Sequence, residues 1–325
     1  MELVGYFALF IVSLAVLVKA SDVFTDAAER LGLSLGLPPF IIGVTIVSIG
    51  TSLPELISSL FAVFEGAPEV VVSNAVGSNI VNIFLVIGTA AILCKGRLTI
   101  TYDLVNVDLP LFVGSAFLLG LVALDRRFSQ GEAVLFLLGY MVYTIYVTLG
   151  SRLEDNPANG AGDDHDDLPP PPSRRQAALL RNGLLVVGSA LFIFLGARYT
   201  ISSLIQISDT LQIGRDIIAV TAVALGTSLP ELLVTINAAR KGQAEIAVGN
   251  VLGSNIFNTF VVMGGPGLIG GLPVSDATVT TGLPTMIAGT ILMFFATQDK
   301  QLSSWEGWLF FIIYAWFIGT TFGLL

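Results

Sequence analysis

The sequence predicts an all-α integral membrane protein of ten transmembrane helices, built as two inverted five-helix repeats. Three observations lead there. The 325-residue chain is 54% hydrophobic and only 12% charged, with a mean hydropathy of +0.84, whereas soluble domains carry about 25% charged residues. Apolar stretches of roughly 18 or more residues recur from end to end, which is the mark of helical spans and not of the short alternating segments of a β-barrel. Finally, sliding the chain by 176 residues lays 50–88 on 226–264 without a gap, and 20 of those 39 positions are identical.

Ten apolar segments can be drawn, at 3–20, 38–64, 68–94, 104–124, 130–150, 178–200, 213–239, 244–271, 277–297 and 304–324. About 20 residues cross the hydrocarbon core. The second, third, seventh and eighth segments are longer than that and are interrupted by Gly, Pro, Ser, Thr and Asn, so they are predicted to tilt or unwind locally. The first begins with Glu2 and lacks a basic leading region, which makes it a span and not a secretory signal. Cys94 is the only cysteine, so there is neither an intrachain disulfide nor a cysteine metal cluster. The formal net charge of −9 is modest and gives no footing for nucleic acid.

Between the fifth and sixth segments, residues 151–175 read SRLEDNPANGAGDDHDDLPPPPSRR, a solvated acidic and proline-rich linker. It divides a first repeat, 1–150, from a second, 176–325. Five spans is an odd number, so the second copy re-enters the membrane upside down, as in many secondary transporters. On the face holding the linker lie Lys19, Arg30, Lys95, Arg97, Arg152, Arg174, Arg175, Arg181, Arg240, Lys241 and Lys300, and on the other Arg126, Arg127, Arg198 and Arg215. That excess predicts a cytoplasmic linker, both termini outside and a plasma (inner) membrane location.

The chemistry sits in the repeated segments. Ser48, Thr51, Ser52 and Glu55 fall at i, i+3, i+4 and i+7, so a helix presents them on one face. Pro54 removes a backbone donor and crowds the carbonyl near Gly50, predicting a bend there that frees oxygens. The next segment adds Ser78 and Asn82 with Asn79 and Asn74 beside them. The second copy supplies Ala224, Thr227, Ser228 and Glu231, then Ser254 and Asn258 with Asn255 and Asn250. Hydroxyls, amides and carboxylates are the oxygen ligands that hard cations prefer. A carboxylate at the bilayer centre costs roughly 2.5–3.5 kcal/mol on insertion scales. No Lys, Arg or His lies within either repeat's spans, since Arg240 and Lys241 fall at a helix end. The remaining partners are metal cations or protons. Two carboxylates match one Ca²⁺ or two monovalent ions, a balance that permits exchange. Ser58, Ser59, Ser73 and Asn237, by contrast, read as helix-packing residues.

GTSLPE with VGSNIVNIF, and GTSLPE with LGSNIFNTF, closely resemble the two alpha-repeats of the cation/calcium exchanger superfamily, here about 38–94 and 213–271. The nearest branch is the prokaryotic sodium/calcium exchangers. The resemblance implies four central sites around the two glutamates, three for Na⁺ and one for Ca²⁺. It makes Glu55 and Glu231 the Ca²⁺ carboxylates and Thr51, Ser52, Thr227 and Ser228 oxygen donors. Ser78, Asn82, Ser254 and Asn258 complete the sites, with the carbonyls of Ser48 and Ala224 on Na⁺. It also implies alternating access by sliding of the first and sixth helices. Two positions depart from the pattern. Asn258 stands where potassium-dependent relatives have Asp, which argues against K⁺ cotransport, and Ser48 stands where Ala is usual. Proton-coupled members tend to carry Gly-Asn-Ala-x-Glu, so GTSLPE points to Na⁺.

The resulting expectation is an antiporter that extrudes Ca²⁺ against Na⁺, with Ca²⁺/H⁺ exchange on the same fold as the alternative and a passive channel as the remote one. Neither enzymatic activity nor a cofactor is expected, and nothing calls for an obligatory protein partner beyond the lipid bilayer. His165 in Asp-Asp-His-Asp-Asp, 163–167, belongs to a solvated acidic run.

Overall fold

In a bilayer, apolar runs this long satisfy their backbone groups only as helices. The computed structural model, which describes residues 2–94, 96–104, 108–154, 172–211, 228–321 and 323, is helical apart from four two-residue strands. In chain order the helices are α1 (Glu2–Ser34), α2 (Pro39–Phe64), α3 (Glu69–Leu93), α4 (Asp108–Asp125), α5 (Gln130–Glu154), α6 (Pro172–Leu211), α7 (Leu229–Arg240), α8 (Ala244–Ile269), α9 (Thr278–Ala296) and α10 (Ser304–Thr321). Eight helices among the described residues are long and apolar enough to cross a membrane. The seventh predicted segment is described only from Ser228 onward. α10, 18 residues long and carrying Trp305, Trp308, Trp316 and Glu306, is not among those eight.

Two predicted segments are too short. The first, drawn at 3–20, is a helix of 33 residues, and the sixth, drawn at 178–200, is one of 40. In α1 the polar residues that suggested a loop form one face of a continuing helix. Asp22, Asp26 and Glu29 point toward Lys241 and Gln243, while Ser21, Phe24, Thr25 and Ala28 are buried behind them.

The predicted bend also moves. The helix Ser48–Phe64 runs through Pro54 without a break, and the irregular turn lies upstream at Gly43–Val47, which is π-helical. Similar π turns occupy Val81–Val86 in α3, Asn258–Val262 in α8 and Thr278–Gly282 in α9. Such turns are rare and concentrate at functional sites.

α8 is the centre of the bundle, with 94% of its most apolar stretch buried, against 17% for α1 and for α6. Glycine lets α2 and α8 touch backbone to backbone. A Cβ on Gly249 would lie 2.6 Å from the Phe40 carbonyl oxygen, and one on Gly43 would lie 2.6 Å from that of Ile246. α1 and α6 pack on one another along the outside of this core, with Leu17 against Gly196 and the Thr200 hydroxyl donating to Ser13 Oγ at 2.9 Å.

Short antiparallel ribbons tie the loops at each end. β1 (Leu98–Thr99) pairs with β4 (Gln301–Leu302), and β2 (Arg127–Phe128) pairs with β3 (Leu272–Pro273). α4 runs between the two ribbons, so they mark opposite ends. The β1 end, where α5 stops and α6 starts, is the linker face. Glu245 at the start of α8 lies there too, accepting from the backbone amides of Thr101 (2.8 Å) and Tyr102 (3.0 Å) and from the Thr101 hydroxyl. The local devices recur at a fixed interval. Left-handed Arg126 and Lys300 precede β2 and β4. Ser129 and Ser303 then each donate their amide and hydroxyl to the glutamate three residues on, Glu132 and Glu306, capping α5 and α10, and at Ser129 the Glu132 amide bonds back to the hydroxyl.

The tightest crossing gives a direct test. A Cβ on Gly253 would meet the Val44 carbonyl oxygen at 2.4 Å and Ser48 Oγ at 2.6 Å, whereas one on Gly114 meets nothing within 4 Å. Gly253→Ala is expected to cost roughly 1–3 kcal/mol, read as a lower Tm in detergent, with Gly114→Ala at or above the wild-type Tm.

Candidate cation-binding site

Glu55 in α2 and Glu231 in the first turn of α7 are both fully buried. Ser52, one turn before Glu55, donates its hydroxyl to Glu231 Oε1 at 2.9 Å. The two copies of the motif therefore converge. Thr51 reaches α8, donating to Asn250 Oδ1 at 3.2 Å and lying 3.5 Å from Ser254 Oγ.

Around the acids many polar atoms lack a hydrogen-bond partner among the described residues. They are both carboxylate oxygens of Glu55, Oε2 of Glu231, the Ser228 hydroxyl and both side-chain amide atoms of Asn82 and Asn258. All these residues are buried. Asn82 and Asn258 lie in the π turns of α3 and α8, Asn258 as the first residue of its turn. Ion pairs among the described residues involve Lys19, Arg126, Lys241 and Lys300, none of them at this site. Leaving buried charges without a counter-charge costs several kcal/mol per ion. Oxygen donors and carboxylates are the set a hard cation uses, and Ca²⁺ takes 6–8 of them. No group of three or more His, Cys, Asp or Glu side chains converges among the described residues, which bring two carboxylates, Glu55 and Glu231, to the centre.

The remaining predicted residues divide clearly. Ser78, Asn79 and Asn255 are buried in α3 and α8. Asn79 links three helices through the Asn255 carbonyl (3.4 Å), the Thr259 hydroxyl (3.0 Å) and Met286 Sδ (3.6 Å). Ser48 sends its hydroxyl to the Val44 carbonyl at 2.7 Å, so within its own helix the extra oxygen is satisfied. Thr227 and Ala224 lie outside the described residues, as does the 163–167 acidic run. Ser58 bonds the Glu55 carbonyl (3.1 Å) and Ser73 meets Thr278 (2.9 Å), as packing residues do.

Two features escaped the sequence reading. Asn250 and Asn74 each donate to a hydroxyl one turn beyond a glutamate, Thr235 at 2.8 Å and Ser59 at 3.4 Å. These hydroxyls sit four residues after Glu231 and Glu55, a spacing that was available as a signal. Asp108 is a further buried acid, bonded to the Tyr143 hydroxyl at 3.1 Å. At the start of an apolar segment it resembled an ordinary helix N-terminus.

Residues 5–149 and 182–323 match the family described as sodium/calcium exchanger protein. The chain belongs to that family. It is 34% identical to the sodium/calcium exchanger MaX1 of Methanosarcina acetivorans, covering 97% of this chain and 98% of that one. The inner membrane protein YrbG of Escherichia coli is 36% identical over 81% of this chain and 79% of its own. Among solved structures, the sodium-calcium exchanger NCX_Mj soaked with zero Na⁺ and Ca²⁺ superposes with a TM-score of 0.78. It is 26% identical and covers 98% of both chains. Within the cation/calcium exchanger superfamily the chain falls in the prokaryotic sodium/calcium exchanger branch. It is a multi-pass membrane transporter of the cation/Ca²⁺ antiport class.

The hydroxyls can be ranked from this geometry. Ser52→Ala removes the side-chain donor to Glu231 and should weaken Ca²⁺ binding by about tenfold, the scale of one hydrogen bond to a charged group. Ser58→Ala should leave binding unchanged. Calcium-dependent thermal shifts of the purified variants check both.

Proposed function

We propose that the protein exchanges Na⁺ for Ca²⁺ by alternating access, normally extruding Ca²⁺ across the plasma membrane. The observation that carries this reading is the convergence of two fully buried carboxylates among unpartnered oxygens, with no ion pair to either among the described residues. Glu55 and Glu231 hold Ca²⁺. Thr51, Ser52, Thr227, Ser228, Ser78, Asn82, Ser254 and Asn258, with the Ser48 and Ala224 carbonyls, complete this site and the Na⁺ sites around it. The fold behind it is a ten-span inverted repeat with both termini outside and the linker in the cytoplasm. The 176-residue repeat and the recurring caps and ribbons support that arrangement.

Charge balance explains the exchange. One Ca²⁺ neutralises both carboxylates, and so do two of the Na⁺ ions. Each state is then affordable at the membrane midplane, while the empty, doubly ionised one is not. A site that must be filled to cross is a site that couples its ions. The GTSLPE motif and the likeness to the sodium/calcium exchanger MaX1 favour Na⁺ as the counter-ion. Protons can neutralise the same two acids, which keeps Ca²⁺/H⁺ exchange as the second reading.

Proteoliposomes loaded with Na⁺ should accumulate radioactive Ca²⁺ when diluted into Na⁺-free medium, and a pH gradient alone should drive none. Uptake driven by pH without Na⁺ would overturn the Na⁺ assignment. Glu55→Gln and Glu231→Gln should each abolish uptake. Replacing K⁺ with choline should leave it unchanged, since Asn258 gives the centre no third carboxylate.

A further inference from the structure

We propose that Asn250 is a positioning residue for the cation site: it takes the proton of the Thr51 hydroxyl and so turns that oxygen's lone pairs toward the ions. This rests on the function proposed above, in which Thr51 is a ligand. A hydroxyl has one proton and two lone pairs. To ligate a cation it must aim its oxygen at the ion and send the proton elsewhere. Asn250 Oδ1 accepts that proton, 3.2 Å from Thr51 Oγ1. Both residues are fully buried, so bulk water does not stand in for the amide. Thr51 and Glu55 lie one turn apart on one face of α2. Asn250 shares a face of α8 with Ser254 and Asn258, at i+4 and i+8, and Ser254 Oγ is 3.5 Å from the same threonine hydroxyl.

Asn250 is itself held at both ends. Its Nδ2 donates to Thr235 Oγ1 at 2.8 Å, on α7 one turn after Glu231. An amide that gives its hydrogen to Thr235 keeps its oxygen for Thr51. The backbone beneath it sits at the close crossing of α2 and α8, where a Cβ on Gly43 would lie 3.1 Å from the backbone nitrogen of Asn250. The relay therefore joins the two glutamate-bearing helices and touches neither carboxylate. One of its bonds recurs in the other copy, since at the 176-residue interval Asn74 donates to Ser59 at 3.4 Å. Thr51 has a second outlet for its proton, the Ser48 carbonyl at 3.3 Å in its own helix. Loss of Asn250 thus weakens the ligand without abolishing it.

Equilibrium binding of radioactive Ca²⁺ to the purified protein tests this through a double-substitution cycle. Asn250→Leu, close to asparagine in size but without its hydrogen bonds, should weaken Ca²⁺ binding about tenfold, the lower end of what removing a ligand's outer partner costs. Thr51→Val should weaken it at least as much, and Asn250→Leu should then add less than about twofold on top of Thr51→Val. Thr235→Val leaves the oxygen that Thr51 uses and should cost about threefold at most. A residue that only joins helices gives the opposite pattern: the losses from Asn250→Leu and Thr51→Val multiply, and Thr235→Val matches Asn250→Leu. That pattern, or unchanged affinity in Asn250→Leu, would overturn the assignment. If Asn250→Leu fails to insert, Asn250→Ala takes its place in the cycle, and a tenfold loss in Thr235→Val alone still overturns the role. The measurement needs no coupling ion. Wild-type protein that bound no Ca²⁺ would overturn the proposed function and this role with it, whereas Ca²⁺ binding with a multiplicative cycle overturns the role of Asn250 alone.

Discussion

Two carboxylates buried at the same place without a basic partner dominate this molecule. Glu55 and Glu231 are each fully buried, and among the described residues Ser52 donates to Glu231 while both oxygens of Glu55 have no hydrogen-bond partner. In a low-dielectric interior such a pair is tolerable only when a cation or protons neutralise it. Much of the surrounding architecture keeps the pair together while leaving its oxygens free for that purpose. Asn250 bridges Thr51 and Thr235, holding α2 and α7 to α8 through bonds that consume none of the carboxylate oxygens. The π turns at Val81–Val86 and Asn258–Val262 contain Asn82 and Asn258, which leave their amides likewise unspent.

The packing separates a stiff part from a loosely attached one. α8 crosses α2 at glycines with backbone in contact, and ribbons and caps pin the loops at both ends. α1 and α6 lean on each other, and α1 meets the core through Phe24 on Gly50, Gly32 on Ile42, and the bonds of Asp22, Asp26 and Glu29 to Lys241 and Gln243.

The sequence carried the helical class and singled out buried polar residues that the structure brings together, because composition and an ungapped repeat do not depend on tertiary contacts. Glu55, Ser52, Glu231 and Asn258 were legible as a group since each appears with its counterpart at one interval. Helix ends were not legible. Asp22, Asp26 and Glu29 look like a loop until Lys241 and Gln243 are brought beside them from 215 residues or so away. The bend was misplaced for a similar reason. Pro54 signals a break locally, yet the irregular turn falls at Gly43–Val47, where Gly43 packs on Ile246 and Asn250, a contact set by tertiary packing. Asp108 was passed over because an acid at a helix start is ordinary until its burial against Tyr143 is known.

The central claim is that the two glutamates form one divalent site that Na⁺ must empty. Equilibrium binding of radioactive Ca²⁺ to the purified protein, titrated with Na⁺, tests it most directly. The account predicts one Ca²⁺ per chain, displaced competitively by Na⁺ with a Hill coefficient above 1. Two independent Ca²⁺ per chain, or binding that Na⁺ does not displace, would contradict it.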